Sequence, residues 1–295
     1  MTISSVPSGF PPSRNRNRLY PIVRFIRRFP LGAISIAVLL AVAVVAVAAP
    51  LLAKQDPIKQ DYAAILLAPS EHHAFGTDAL GRDVFSRSVF GARVSLLAAL
   101  IAAGIATAIG LPIGLLVGFR RTRFDELVVM RLVDGLQAFP FLILAMVVTA
   151  ALGPGFGNAM VAIGIAYSPN IIRIVRGAAL QVRQLDYVEA ATSLGMRQVR
   201  VLLRHVLPNL VSPLLVQLTV LMASAIIAEA GLSYLGLGTQ PPTPSWGSEL
   251  RVAQGYVFIA PWMAIWPGVG ISVTVLALNL FGDALRDFLD PRQIA

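Results

Sequence analysis

An ionisable side chain inside an apolar run is costly, so each one is a first candidate for chemistry. Glu229 stands near the outer end of the run 209–230. It has three readings: a group that lines a solute path and meets an amine or cation, a partner for Arg93, or a helix cap. Asp134 lies three residues after Arg131, a spacing that predicts a one-turn ion pair. Asp283 is expected at a membrane edge. Gly231-Leu-Ser233 and Gly270-Ile-Ser272 carry the glycine-x-serine spacing of some intramembrane proteases. A nucleophilic serine needs a positioned base, most often histidine. The histidines are His72, His73 and His205, and none lies in an apolar segment. The doublet His72-His73 has no further ligand beside it to complete a metal site, and reads as loop surface. The lysines are Lys54, after Ala53, and Lys59, after Ile58, so no phosphate-cradling glycine-lysine loop exists. With no cysteine there is neither disulfide nor thiolate metal site. Catalysis by this chain alone is therefore not expected, and no cofactor or metal is expected in it.

The elements that carry these residues follow from the solvent. Of 295 residues, 56% are hydrophobic and 13% charged, with a mean hydropathy of +0.74. A soluble domain carries about 25% charged residues. About 20 apolar residues span ~30 Å of hydrocarbon as a helix. Six such segments are read at 31–52, 94–118, 132–152, 159–175, 209–230 and 263–284. The fold class is all-α and integral to a membrane. The fourth segment is the weakest, because Pro169 and Asn170 interrupt it. Gly110, Gly114 and Gly118 recur every four residues and form a face that admits a second helix backbone.

The net charge of +9 does not point to nucleic acid, because the basic residues cluster between apolar runs. With the N terminus inside, Lys54, Lys59, Arg82, Arg87, Arg93 and Arg251 fall outside, and the other 18 of 24 basic residues fall inside. The chain then divides into a cytoplasmic tail over 1–30, a first span over 31–52, an external segment over 53–93 and a core over 94–295, with both termini cytoplasmic. The run 31–52 is longer than the apolar core of a signal peptide, and reads as an uncleaved span.

The cytoplasmic stretch 185–208 is the most informative polar piece. Asp186 is expected to cap a helix, with Glu189 reaching back as its capping-box partner and Ala190 and Ala191 favouring the helix. Gly195 is expected to end it in a left-handed conformation. A second helix follows, with Val199, Leu202, Leu203 and Val206 on one side and Arg197, Arg200 and Arg204 on the other. Leu207-Pro208 then opens the fifth span. Periodicity alone leaves two uses for such a pair of helices: lying on lipid headgroups, or entering a groove on a partner.

Glu189-Ala-Ala191, Gly195 and His205-Val-Leu-Pro208 resemble the EAA loop of ABC importer permeases, with histidine where isoleucine is usual, as in the peptide branch. Five further blocks are similar to C-type permeases of the dipeptide/oligopeptide/nickel branch: Gly76-Thr-Asp-Ala-Leu-Gly-Arg-Asp-Val-Phe-Ser-Arg87, Gly91-Ala-Arg-Val-Ser-Leu96, Asp134 with Ala138-Phe-Pro140, Gly231-Leu-Ser-Tyr-Leu-Gly-Leu-Gly238, and Gly282 through Arg292. The resemblance implies a type I importer permease fold with six transmembrane helices and a cytoplasmic coupling helix. It implies a bacterial inner-membrane location and a non-identical second permease. It implies two cytoplasmic ATPase subunits that hold ATP and Mg, and a periplasmic or lipid-anchored solute-binding protein. Di- or oligopeptides are the implied solute, with nickel, glutathione or another small solute as alternatives. Glu229, Tyr234 and Trp246 become candidates for the path or its gate, and the loop 231–247 a candidate gate or platform for the binding protein. A secondary transporter is disfavoured, because no internal repeat is visible.

The absence of cysteine makes a labelling test simple. Ser70→Cys is expected to react with an impermeant maleimide in intact spheroplasts, and Ser193→Cys only after lysis; external labelling of Ser193→Cys would reverse the arginine-based topology. The chain purified alone is expected to bind no ATP, and saturable binding in equilibrium dialysis would contradict the absence of a phosphate loop.

Overall fold

Apolar length sets the architecture, and a computed structural model describes it over residues 28–120, 122 and 125–289. Most of the expected tail, together with Arg121, Arg123 and Arg292, lies outside the described residues. Helix α1 (Pro30–Val47) and the short α2 (Ala49–Leu52) lead to the segment expected to be external. Helix α3 (Val84–Arg120) starts ten residues before the expected span. A π turn (Asp125–Val129) feeds α4 (Met130–Gln137), followed by α5 (Phe141–Leu152) and α6 (Phe156–Arg183). Helices α7 (Asp186–Ser193) and α8 (Gln198–Val201), with a second π turn (Leu202–Val206), lead into α9 (Leu207–Tyr234). Helix α10 (Trp246–Ala253) and a 3-10 turn (Gln254–Tyr256) precede α11 (Trp262–Leu289). Among the described residues five helical runs are long and apolar enough to cross a membrane, or six if one bent pair is counted as a span.

The third and fourth spans exchange the roles expected of them. Helix α6 runs unbroken through Pro169. A proline frees the carbonyl four residues back, and here Ser168 Oγ donates to that carbonyl, Ile165 O, at 2.8 Å. Helix α6 is also the most enclosed span, with 67% of its apolar window buried against 17% for α1. Its low hydropathy therefore marks a central helix that meets little lipid. The break falls instead in the third span, where Leu127–Gln137 and Phe141–Leu152 meet at 96° around residues 138–140. Pro140 disfavours helical geometry at Phe139 and itself stands extended at ψ 129.

Helices α3 and α6 form the spine. A Cβ on Gly110 would stand 2.5 Å from Ile171 Cβ, one on Gly114 would stand 2.8 Å from Ile172 O, and one on Gly118 would stand 2.9 Å from Ala179 Cβ. The three glycines thus face α6 at backbone distance. Helix α9 packs on α3, α6 and α11, and α1 lies outermost against α11 and α3.

The external segment is bound by buried charge. Arg87 grips Glu249 through Nε–Oε2 at 2.8 Å and Nη2–Oε1 at 2.6 Å, and its Nη1 donates to Pro57 O at 2.6 Å. Arg82 Nε donates to Asp78 Oδ2 at 2.6 Å. Asp83 Oδ2 accepts from Ser86 N and Oγ at the start of α3. His73 is not loop surface as expected: its Nδ1 lies 3.1 Å from Asp83 Oδ1, with 12% of the side chain exposed. Glu249 was not singled out from sequence. The signal available was four arginine and aspartate residues between 78 and 87 in need of partners.

Breaking a buried pair on one side leaves an uncompensated charge and costs about 3–5 kcal/mol, while replacing both partners with apolar groups is often neutral. Glu249→Ala is expected to lower the thermal midpoint of the purified protein sharply, and Arg87→Met with Glu249→Leu to recover most of the loss. Equal losses in both, read by fluorescence-detected size exclusion after heating, would reduce this pair to a minor contact.

Candidate functional site

The stretch between α6 and α9 folds as two turns of chain held against the spine. Helix α7 does not start as expected. Leu185, not Asp186, occupies the N-cap position, and no side chain caps the helix. Asp186 is the first helical residue and Glu189 lies one position too late for a capping box. Both carboxylates instead sit in the first turn, where they favour the helix through its dipole. Val188 and Ala191 turn inward, and Glu189 and Ala190 stay exposed.

The C terminus of α7 closes as a Schellman motif. Met196 N donates to Ala191 O at 3.2 Å and Gly195 N to Thr192 O at 3.0 Å. Gly195 takes φ +78, the left-handed geometry expected of it. A Cβ there would meet nothing within 4 Å, so the turn stands clear of its own chain. Leu194 beside it is 87% exposed.

The second helix departs from the expected two-sided pattern. Arg197 is the N-cap of α8, and the π turn that follows adds one residue per turn. The inward positions become Val201, Val206 and Leu210, spaced five and then four. Val199 and Leu203, grouped with Leu202 and Val206 on one side from periodicity, are exposed while Val206 is buried. They share an open depression of about 530 Å³ with Arg197, Arg200 and Arg204. Leu207 is partly buried against the core, and Pro208 occupies the first turn of α9. Asn209 Nδ2 donates to Tyr187 Oη at 3.0 Å and to His205 O at 2.6 Å, tying α7 to the foot of α9. Neither Tyr187 nor Asn209 was singled out from sequence, because their meeting depends on the turn between them.

The result is one surface with acidic Asp186 and Glu189 at one end and three arginines at the other. Leu194, Val199, Leu203 and Tyr187 are exposed between and beside them. Apolar side chains exposed beside charged ones suit a protein groove better than water.

The external candidates behave differently. Glu229 is fully buried. Its Oε1 accepts from Ser233 Oγ at 2.6 Å and Thr239 Oγ1 at 3.2 Å, and its Oε2 accepts from Ser95 Oγ at 3.2 Å. It neither faces open space nor pairs with Arg93; it binds α9, α3 and the following loop to one another. Trp246 is 3% exposed, with its indole N–H on Ser88 O at 3.0 Å. It packs α10 against α3 rather than guarding an opening. The loop around it is ordered by reciprocal capping between Ser245 and Ser248. Tyr234, at the end of α9, is 37% exposed. Asp283 is exposed on α11.

Asp134 also changes partner. It meets Arg173 of α6, Oδ1 to Nη2 at 2.7 Å, and not Arg131. Beside it Gln137 Nε2 donates to Asn170 Oδ1 at 2.8 Å. Sequence reading treated Asn170 only as an interruption and counted Arg173 among cytoplasmic residues. Their three-residue spacing on one helix face was the signal. Among the described residues no group of three or more His, Cys, Asp or Glu is placed to hold a metal ion.

These features can be set beside known proteins. The chain's backbone is similar to a solved structure of the inward-facing MetNI methionine ABC transporter, with a TM-score of 0.57 at 19% identity, covering 70% of this chain and 98% of the other. That likeness concerns the fold, a type I permease bundle. A probable peptide ABC transporter permease of Sinorhizobium fredii is 45% identical over 98% of this chain and 97% of its own length. A putative peptide transport system permease of Brucella abortus is 41% identical over 99% and 98%. A glutathione transport system permease of Escherichia coli is 44% identical over 79% and 76%. The family model described as binding-protein-dependent transport system inner membrane component matches residues 110–295, which include both the α3–α6 spine glycines and the whole stretch from Asp186 to Pro208. Matched across that span and along nearly its full length by named permeases, the chain belongs to the binding-protein-dependent ABC transporter permeases.

Proposed function

We propose that this permease carries di- or oligopeptides inward, as one of two non-identical permeases served by two cytoplasmic ATPases and an external binding protein, with both of its own termini cytoplasmic. The peptide assignment rests on relatives named as peptide permeases over almost the whole chain. The glutathione permease, similar over a shorter span, keeps a modified tripeptide within the same solute class.

The observation that carries the coupling role is the uncovered surface of α7, Leu194 and the arginine-lined depression. An ATPase docked there would push on a part that cannot yield separately. Val188 and Ala191 turn α7 inward, the Tyr187–Asn209 bond joins it to α9, and a two-residue turn links it to α6, which is unbroken from residue 156 to 183. Closure of the ATPases would then rotate α6 and α9 as rigid bodies, the kind of movement alternating access requires. The chain supplies this transmission and half of the path; the partner subunits supply ATP hydrolysis.

Leu194 and Gly195 test the proposal without disturbing the core. Leu194→Asp places a charge on a residue that touches little of its own chain. Gly195→Arg adds a bulky cation at a left-handed position, at about 1–2 kcal/mol of local strain. Both variants are expected to insert normally and to lose most ATPase co-purification and peptide-stimulated hydrolysis in proteoliposomes. Normal docking and normal coupled uptake by both would leave α7 a membrane-surface helix and remove the coupling assignment.

A further inference from the structure

We propose that the break in the third span, with the facing turn of α6, forms a mid-membrane contact site for the transported solute, built to receive an amide-bearing zwitterion such as a short peptide. The peptide identity rests on the functional reading above; the site itself rests on geometry.

Depth comes first. Asn170 is the fifteenth residue of the 28-residue α6. At 1.5 Å per residue it lies about 20 Å from either end of that helix, inside its apolar window. Gln137 meets it there, and the Asp134–Arg173 pair lies one turn further in. The side chains of Asp134 and Arg173 are each 54% exposed on the surface of this chain. An exposed carboxylate and guanidinium at that depth cannot face hydrocarbon.

The backbone leads to the same face. A 96° bend at residues 138–140 leaves the last carbonyls of α4 and the first amides of α5 without helical partners. Such irregular backbone is tolerated at membrane depth only against protein or a water-filled cavity. A cavity of about 610 Å³ opens at the bend, bordered by Asp134, Gln137, Phe139, Phe141, Asn170 and Arg173. That volume falls within the range of small-ligand sites, about 300–1,000 Å³.

The chemistry of the border selects the ligand class. Gln137 and Asn170 each present an amide, both donor and acceptor, and so match the backbone of a peptide. They bond to each other once, and Gln137 Oε1 remains buried with no hydrogen-bond partner among the described residues. An acceptor in that state gains from an incoming N–H. Asp134 and Arg173 offer complementary charges for a terminal ammonium and carboxylate. Phe139, 57% exposed, offers a sequence-tolerant apolar surface for a side chain. With its groups largely paired among themselves, the site would hold solute weakly, as a transit point must in order to release it.

The absence of cysteine allows a direct test on the whole transporter in lipid nanodiscs, where both faces are open. Asn170→Cys is expected to react with a charged methanethiosulfonate reagent, and Val147→Cys, 61% exposed on the apolar side of α5, is expected to resist it. Trialanine with the binding protein is expected to slow the Asn170→Cys reaction several-fold. Asn170→Leu is expected to raise the KM for trialanine uptake roughly tenfold, the loss of one hydrogen bond. Failure of the charged reagent while a lipid-soluble maleimide reacts would show a dry or lipid-facing surface and overturn the site, even in a complex that imports peptide. Reaction without protection by any solute that stimulates hydrolysis would overturn it as well. Protection by Ni²⁺ but by neither trialanine nor glutathione would sustain a path site and reject the peptide assignment for both site and chain.

Discussion

The hydrocarbon core of a bilayer offers no hydrogen bonds, so every polar group at that depth must be satisfied by the chain or by a path the chain lines. Most of the local geometry follows from this requirement. Ser168 takes up the carbonyl that Pro169 strands, and α6 stays whole. Glu229 is enclosed by hydroxyls from Ser95, Ser233 and Thr239, so a buried carboxylate becomes a joint between two helices and a loop. Gln137 and Asn170 close on each other where the third span breaks. Beside that break Asp134 and Arg173 pair with each other while remaining half exposed on the surface of this chain.

The same constraint explains the use of small residues. Lipid is as apolar as leucine, so burial alone gives two helices little reason to associate. Close backbone approach supplies dispersion contacts instead, and Gly110, Gly114 and Gly118 let α3 approach α6 to the distance at which a methyl group would collide. The pair becomes the most closely packed column of the bundle.

The two ends of the molecule are held differently. The segments before α3 and around α10 are tied by buried charge and hydrogen bonds: Arg87 and Glu249, Asp83 and His73, and Trp246 on Ser88. At the other end Leu194, Val199 and Leu203 are exposed beside three arginines, and the contacts that hold α7 are mainly apolar.

The number of spans, their order, the arginine bias and the permease motifs could be read from the sequence alone, because hydropathy and charge act through local composition. The left-handed turn at Gly195 was legible for the same reason, since φ is a property of one residue. Partners were not legible. Asp134 chose Arg173 over Arg131, Glu229 chose hydroxyls over Arg93, and Arg87 found Glu249, 162 positions away. Val201 and Val206 turn inward five residues apart because a π turn, invisible to a 3.6-residue period, fills the gap between them. Asp186 lost its capping position to Leu185 by a single residue. The third span broke and the fourth did not, because a serine hydroxyl relieves one proline while the other sits where the chain must turn. Sequence determines which segments leave water. The tertiary structure decides which polar groups meet, because each pairing depends on the positions of helices far apart in the chain.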